Sequence, residues 1–590
     1  MKEKTPLQKI KIALLACASF IIALVVILLS VFKFSHPFKP AFYNYKSYMS
    51  KTNIDKIQKD FTYKTFDEIN EFTNALVNNK AIAGIGSDFQ AIDLIKKGHI
   101  KKIDFKKLFK SVDHANFDQQ LLDKLSDSDF LANVLKEIYS PIVFNHLASY
   151  DDELTTDLHG NKLETPNHLW EYFIPYYAQD GMIAYNTAKA INGKTVNDEA
   201  LEANAAKLSQ KYQTTIEPYS LLNELNLISQ SGYGNYIITD AIRTNMLYAS
   251  GYNFNNNTLT LQPFTGTSNE RNYKNQIIQF GNMIQAATSY PISNSRYITL
   301  DGDGQNIVAR LLDPSNKQTD SGIVYNGDML DMYYSDNNYD TVANGTVEGL
   351  KIGQNVLLVD GVMVKSNISD EYETKLYQSL NESFLQNMTW RYSKANNGFD
   401  LNQTYQKYSL KIYQDYLDAV LKPIFKDIAK YSVIEKELLK LYQETLTDIN
   451  KLELYDSFVS DNILNDSMLK QTFILYADKL FGTKDTSNLK ELIINLINHV
   501  DLANEQFAPV VETKYANLNN FDFINYTPTM ILDYLFIKRN YFIEDNAVDQ
   551  KALAIYEIEN KNGIMHYAIK GVSEELLSQI STFYFTQYKG

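Results

Sequence analysis

Aromatic, hydroxyl and acidic residues stand where short apolar runs end along this 590-residue chain: Tyr45, Ser87, Phe89, Asp180, Tyr325, Asp328, Asp360 and Tyr526. Aromatic faces attract organic cations by up to about 2 kcal/mol each when water is excluded, and a carboxylate pairs with an ammonium group. Brought into one cleft, this set suits an amine. Among 42 Tyr and 31 Phe any single ring is ordinarily a packing residue, so the assignment depends on convergence. Strand ends supply a reason for it, because open α/β sheets bind ligands beyond the carboxyl ends of their strands.

Other chemistries find less support. No two of the eight histidines stand four residues apart, as a helical zinc pair requires, and no metal site is assigned. Asp301-Gly-Asp303-Gly304 has Asn306 and Leu312 where a calcium loop needs Gly and a bidentate Glu, so it reads as a turn. A Walker phosphate loop, a nucleophile elbow and a dinucleotide fingerprint are absent, and neither catalytic residues nor a cofactor are assigned. An extracellular hydrolase whose residues assemble from distant positions stays open. The net charge of −14 argues against nucleic acid as a partner. The one cysteine, Cys17, excludes an internal disulfide framework and a CxxC redox centre.

The elements that must position these residues begin after a membrane segment. Residues 12–32 carry no charge and as a helix would be roughly 30 Å long, enough to span a bilayer. Lys2, Lys4, Lys9 and Lys11 precede it, which leaves the N-terminus cytoplasmic and the bulk of the chain on the extracellular face. Leu14-Leu15-Ala16-Cys17 is similar to a bacterial lipobox, making Cys17 a lipidation candidate, although the apolar run continues beyond it. An uncleaved anchor, a lipoprotein signal and a removed signal all remain open for residues 1–37.

From 38 to 186 and again from 187 to 360, short apolar runs alternate with helical patterns, the rhythm of two α/β lobes. Strand candidates include 81–85, 236–238, 322–325 and 356–359. Residues 361–390 return to the first lobe. Residues 391–516 read as an inserted bundle of about four to six helices, with Pro423 dividing a stripe that runs from Tyr413 to Ile428. Residues 521–528 read as a turn, and 517–590 complete the lobes.

The order of these residues resembles the spermidine/putrescine-binding proteins of bacterial ABC importers over most of the chain after residue 40. Phe42-Tyr-Asn-Tyr45-Lys46-Ser-Tyr48 is similar to that family's opening strand, Ile85-Gly-Ser87-Asp88-Phe89 to its second strand, and Phe173 to Asn186 to the strand leaving the first lobe. Thr239-Asp240-Ala-Ile-Arg243 matches a T-D-x-x-R turn, and Gly322-Ile-Val-Tyr325-Asn-Gly327-Asp328 a W-x-G-D/S segment. Asp360 falls where the family presents its principal amine-binding aspartate, and Asn525-Tyr526-Thr-Pro528 resembles its G-Y-x-x-P/T turn.

The resemblance implies a two-lobed periplasmic-binding-protein-like fold of type II, α/β in class, with an N-terminal transmembrane helix and an inserted α-helical domain. It implies a non-enzymatic, membrane-anchored receptor that hands a polyamine or related organic cation to ABC permease subunits with a cytoplasmic ATPase. Ligand contacts would come from Tyr45, Ser87, Phe89, Tyr325, Asp328, Asp360 and Tyr526, with Asp88 and Asp180 as further candidates. Lys46, beside the stacking position, would repel a polyamine if it pointed inward. Alternatives are a same-fold receptor for a thiamine-like cation or ferric ion, and a surface scaffold that does not transport.

Overall fold

The structure is a computed structural model describing residues 6, 18–25 and 39–590, except 112–118, 191–195, 257, 336–337, 387, 389–399, 450, 483–488 and 545. The membrane-segment reading at 12–32 and the lipidation candidate Cys17 lie largely outside the described residues. Residues 18–25 are helical and expose Phe20, Ile21, Ile22, Leu24 and Val25. Among the described residues no helix is long and apolar enough to cross a membrane.

The first lobe opens with three parallel strands, β1 (Ala41–Tyr45), β2 (Thr62–Phe66) and β3 (Ala81–Ser87), each followed by a helix on the return path. The next strand, β4 (Phe173–Asn186), is buried over all 14 residues. At about 3.3 Å per residue it runs roughly 45 Å, long enough to serve two sheets. The second lobe contributes β5 (Tyr236–Thr239), a hairpin of β6 (Tyr252–Asn255) and β7 (Thr258–Leu261), then β8 (Ile298–Asp301), β9 (Ser321–Tyr325) and β10 (Val347–Lys351). The chain returns through β11 (Gln354–Val364). Later strands are β12 (Thr527–Pro528), the hairpin β13 (Ile543–Glu544) with β14 (Ala547–Val548), and β15 (Met565–Ala568).

One mixed sheet in the order β2-β1-β3-β11-β4-β9-β5-β8 joins both lobes. Its two halves share β4. Residues 173–180 of β4 pair antiparallel with β11, and residues 181–185 pair with β9. β11 in turn pairs with β3 from Asp360 to Val364 and with β15 from Gln354 to Leu357. β4 and β11 therefore connect the β1–β3 side of this sheet to the β5–β9 side.

Several sequence expectations meet the structure at this level. Pro423 divides the helical stripe: one helix ends at Val420, a 3-10 turn spans Lys422–Ile424, and a new helix starts at Ile428. Proline lacks the amide proton that would continue the ladder. The turn read at 521–528 is shorter than expected, because Phe521 to Ile524 finish the helix Ala516–Ile524 and the turn begins at Asn525, whose φ of 62° lies in the left-handed region. Burial of Phe521 against Tyr541 and Tyr556 holds that last helical turn. Asp360 does not end its strand, which continues to Val364 with a register shift immediately after Asp360.

The helical segment packs against the first lobe through tyrosines whose rings are buried and whose hydroxyls find acceptors, the usual condition for burying this residue. Tyr405 donates to the Leu535 carbonyl (3.2 Å) and Tyr408 to Asp533 (3.1 Å), while within the segment Tyr413 donates to the Leu496 carbonyl (3.0 Å). Asn53 and Ser50, beside β1, bond to the Ala516 carbonyl and the Asn520 side chain.

Candidate ligand site between the lobes

Asp360 lies on β11 opposite Ser87 on one side and Tyr177 on the other, so both crossing strands fix its position. Ser87 ends β3 and donates to Asp360 Oδ1 at 3.0 Å. Tyr45 ends β1 and its hydroxyl lies 2.8 Å from Ser87 Oγ. Because Ser87 gives its proton to the carboxylate, Tyr45 is the donor to Ser87. Tyr48 and Gln179 both donate to Asp360 Oδ2, at 3.0 and 2.7 Å, and Gln179 also reaches the Tyr48 hydroxyl at 2.9 Å. Tyr48 is itself held by Tyr176, whose hydroxyl donates to the Tyr48 carbonyl and accepts from Asn520.

A second cluster forms on the other lobe. Tyr325 ends β9, and its hydroxyl lies 2.9 Å from Thr244 Oγ1. Asp328 sits in the first turn of the helix Asn326–Tyr333 and accepts from the Tyr526 hydroxyl at 2.9 Å. Tyr526 packs edge-on against Tyr48 at 5.7 Å between ring centroids, and Tyr48 likewise against Tyr45. The two clusters thus meet through aromatic rings: the Asp360 charge acts on Tyr45, Tyr325 and Tyr526, and the Asp328 charge on Tyr325 and Tyr526.

Both carboxylates are buried and, among the described residues, their hydrogen-bond partners are neutral. Burial pushes the Asp360 carboxyl up to about 7, with the Asp88 charge adding to the effect and the donors Ser87, Tyr48 and Tyr45 opposing it. Asp328 is likewise pushed up to about 7 by burial, against the Tyr526 hydrogen bond. Desolvation disfavours the charged form unless a cation or enough donors compensate. The phenols of Tyr45, Tyr48 and Tyr526 are driven well above their ordinary value, mainly by burial, and stay protonated.

Of the residues singled out in the sequence, the structure brings Tyr45, Ser87 and Asp360 into one bonded network and Asp328 with Tyr526 into another, with Tyr325 between them. Phe89 is packed in the first lobe and lines a cavity with Val572 and Leu577 of the C-terminal segment. Asp88 and Asp180 do not join the network. Asp88 is taken by His146 Nε2 at 2.5 Å and by the Val359 amide, and Asp180 by Lys351 at 2.6 Å and His566 at 3.2 Å. Both carboxylates thus have hydrogen-bond partners within the protein. Lys46 points outward at the rim, 4.0 Å from Asp303 of the other lobe, so it does not oppose a cation inside.

Sequence reasoning missed Tyr48, Gln179 and Thr244. Gln179 had a readable signal, an amide in a strand otherwise dominated by apolar and aromatic residues.

Two consequences are measurable. A Cβ on Gly327 would lie 2.1 Å from the Tyr526 ring, so Gly327→Ala must displace Tyr526 from Asp328. Ligand binding in this variant should weaken by about tenfold, the scale of one charge-assisted hydrogen bond, as read by calorimetry. Asp180→Asn strands the buried Lys351 ammonium, and breaking a buried pair from one side costs about 3–5 kcal/mol. Urea denaturation should show that loss.

Comparison with known proteins places the sequence in a family and offers several distant structural likenesses. No curated protein matches the chain. The spermidine/putrescine ABC transporter substrate-binding protein PotD from Streptococcus pneumoniae is 10% identical, over 58% of this chain and 77% of that one, with a TM-score of 0.33. The Tp0655 (TpPotD) lipoprotein of Treponema pallidum is 12% identical over 60% and 83%, with a TM-score of 0.34. An ABC transporter solute-binding protein from Thermotoga lettingae, bound with alpha-D-tagatose, is 12% identical over 75% and 99%, with a TM-score of 0.33. A family model described as hypothetical lipoprotein (MG045 family) matches residues 8–359, more than half of the sequence, and the chain belongs to that family.

Proposed function

We propose that this chain is the extracytoplasmic solute receptor of an ABC importer, capturing a small organic cation of the polyamine class, such as putrescine or spermidine, between its two lobes. The observation that carries this reading is a pair of buried carboxylates, Asp360 and Asp328, whose hydrogen-bond partners among the described residues are neutral and which stand among tyrosine rings. A protein that buries two acids without a cation has a place prepared for one. An ammonium group at each carboxylate would replace the lost hydration, and the rings of Tyr45, Tyr325 and Tyr526 would face the aliphatic stem and its charge.

No covalent step is involved. Closure would turn on β4 and β11, the strands common to both lobes, and a cation that touches Asp360 on one side and Asp328 on the other favours the closed form because only there are both contacts made. Membership in a lipoprotein family accords with a lipid on Cys17, and the apolar stretch 12–32 with an uncleaved anchor; either holds the receptor at the outer face of the membrane beside its permease.

A thermal-shift panel on the full chain in detergent, with putrescine, spermidine, thiamine and Fe(III), tests the ligand class. Stabilisation by the amines supports the proposal. Stabilisation by Fe(III) or thiamine alone, or by none of the four, counts against it.

A further inference from the structure

The segment that follows β15 is held from both sides of the main sheet. Lys570 donates its amide to the Gly266 carbonyl (3.1 Å), and its own carbonyl accepts from Arg243 Nη2 (3.0 Å). Arg243 lies in the helix Ile242–Ser250, directly after β5, and Gly266 in the loop after β7, so these bonds tie the segment to the β5–β9 side. The neighbouring contacts reach the other way. The Ile569 carbonyl accepts from the Tyr150 hydroxyl (2.8 Å), the Gly571 amide donates to Glu153 Oε2 (3.0 Å), and Lys570 Nζ donates to the Ser149 carbonyl (2.7 Å) and faces Glu153 Oε1 at 3.3 Å. Ser149, Tyr150 and Glu153 follow the helix Pro141–Ala148, whose His146 bonds to Asp88 beside the end of β3. Three consecutive residues thus join the β1–β3 side to the β5–β9 side, separately from β4 and β11.

The two grips differ in kind. On the β5–β9 side the C-terminal helix Glu574–Tyr588 buries Leu576, Ile580 and Tyr584 against Met246, Tyr273 and Ile277, and the Tyr588 hydroxyl accepts from the Gly281 amide (3.0 Å) while donating to the Ile277 carbonyl. Apolar burial on that scale is a strong and lasting contact. On the β1–β3 side the same helix offers Glu574, half exposed, to Lys97 at 3.2 Å, and Val572 and Leu577 leave a cavity of about 30 Å³ against Phe89 and Leu94. Exposed ion pairs contribute little, and atoms that line a gap forfeit dispersion contacts. The grip on the β1–β3 side is therefore the weaker of the two.

We propose that Ile569–Gly571 is a clasp that restrains the two sides from parting about β4 and β11. It opens by leaving Ser149, Tyr150 and Glu153, while the C-terminal helix stays on the β5–β9 side. Regions that move in a conformational change are drawn from the least stable contacts, and here those are the polar, partly exposed ones. The clasp rests on the hinged movement of the receptor reading above, and not on which solute is bound.

Site-resolved hydrogen exchange on the full chain in detergent, without ligand, reads the order of release. Relative to intrinsic rates, the Gly571 amide, bonded to Glu153, should exchange at least about tenfold faster than the Lys570 amide, bonded to Gly266, and than the amides of Ile580 and Tyr584. Equal protection at Gly571 and Lys570, or slower exchange at Gly571, overturns the proposal, and this comparison needs no variant. Lys570→Met removes the reach to Ser149 and Glu153 and leaves both backbone bonds to the β5–β9 side in place. Spin labels on Asn74→Cys and Thr260→Cys, both exposed positions, in a Cys17→Ser background should report one distance in the parent and an added longer one with Lys570→Met. An unchanged distribution in the folded variant overturns the clasp. Neither measurement contains a ligand, so loss of the clasp leaves the amine reading standing, and failure of amine binding leaves the clasp standing.

Discussion

Asp360→Asn should abolish cation capture and, at the same time, stabilise the unliganded protein. Truncating one partner of a buried charge pair costs about 2–5 kcal/mol, so affinity for an amine should fall at least about 30-fold. The fold tolerates the amide because its neighbours can reverse their donation. An Asn oxygen in the Oδ2 position still accepts from Tyr48 and Gln179, and its NH2 donates to Ser87, which then turns its own proton toward Tyr45. The gain in stability follows from linkage. The folded protein holds the Asp360 carboxyl at about 7 against its ordinary 3.8, so between those values the native state binds more protons than the unfolded chain, and stability falls as pH rises. At neutral pH the displacement corresponds to about 4 kcal/mol as an order of magnitude. The variant escapes that cost, so its melting temperature should exceed that of the wild type at pH 7.5 and match it near pH 4. Retained amine affinity, or a lower melting temperature at pH 7.5, would contradict this assignment.

Affinity should also climb steeply with pH. Asp328 and Asp360 both sit at about 7, so below that value each must release a proton before it can pair with an ammonium group. An amine ligand favours the ionised form, which means that binding expels protons in mildly acidic solution. From pH 7 to pH 5 each carboxylate should weaken binding by on the order of 100-fold, and the loss should level off above pH 8. Calorimetry in two buffers of different ionisation enthalpy at pH 6 should register net proton release approaching two per ligand in the wild type and approaching one in Asp328→Asn. A flat pH profile would mean that neither acid meets the ligand.

The positions of the strands were readable because each combines a short apolar run with a following helical pattern, as at 81–85, 236–238, 322–325 and 356–359, and the ends of the first and third of these place Ser87 and Tyr325. What the linear order conceals is pairing at long range. Asp88 is answered by His146, 58 positions away, and Asp180 by Lys351 and His566, 171 and 386 positions away. No local pattern announces such partners, so acids with a basic partner look the same in sequence as acids with neutral donors only. The register shift after Asp360, which lets one residue face both Ser87 and Tyr177, depends on β4 and β11 being paired and has no signature in either strand alone. Tyr48 stood three positions after Tyr45, but its role depends on Tyr176 and Asn520 holding it toward Asp360.

The most direct test is calorimetric titration of the full chain with putrescine and with spermidine at pH 8, beside the double variant Asp328→Asn/Asp360→Asn. One saturable site for at least one of the two amines in the wild type, and no measurable heat of binding in a folded double variant, is the expected result. Equal amine affinity in the two proteins, or no amine binding to the wild type, would contradict a cation site built on these carboxylates.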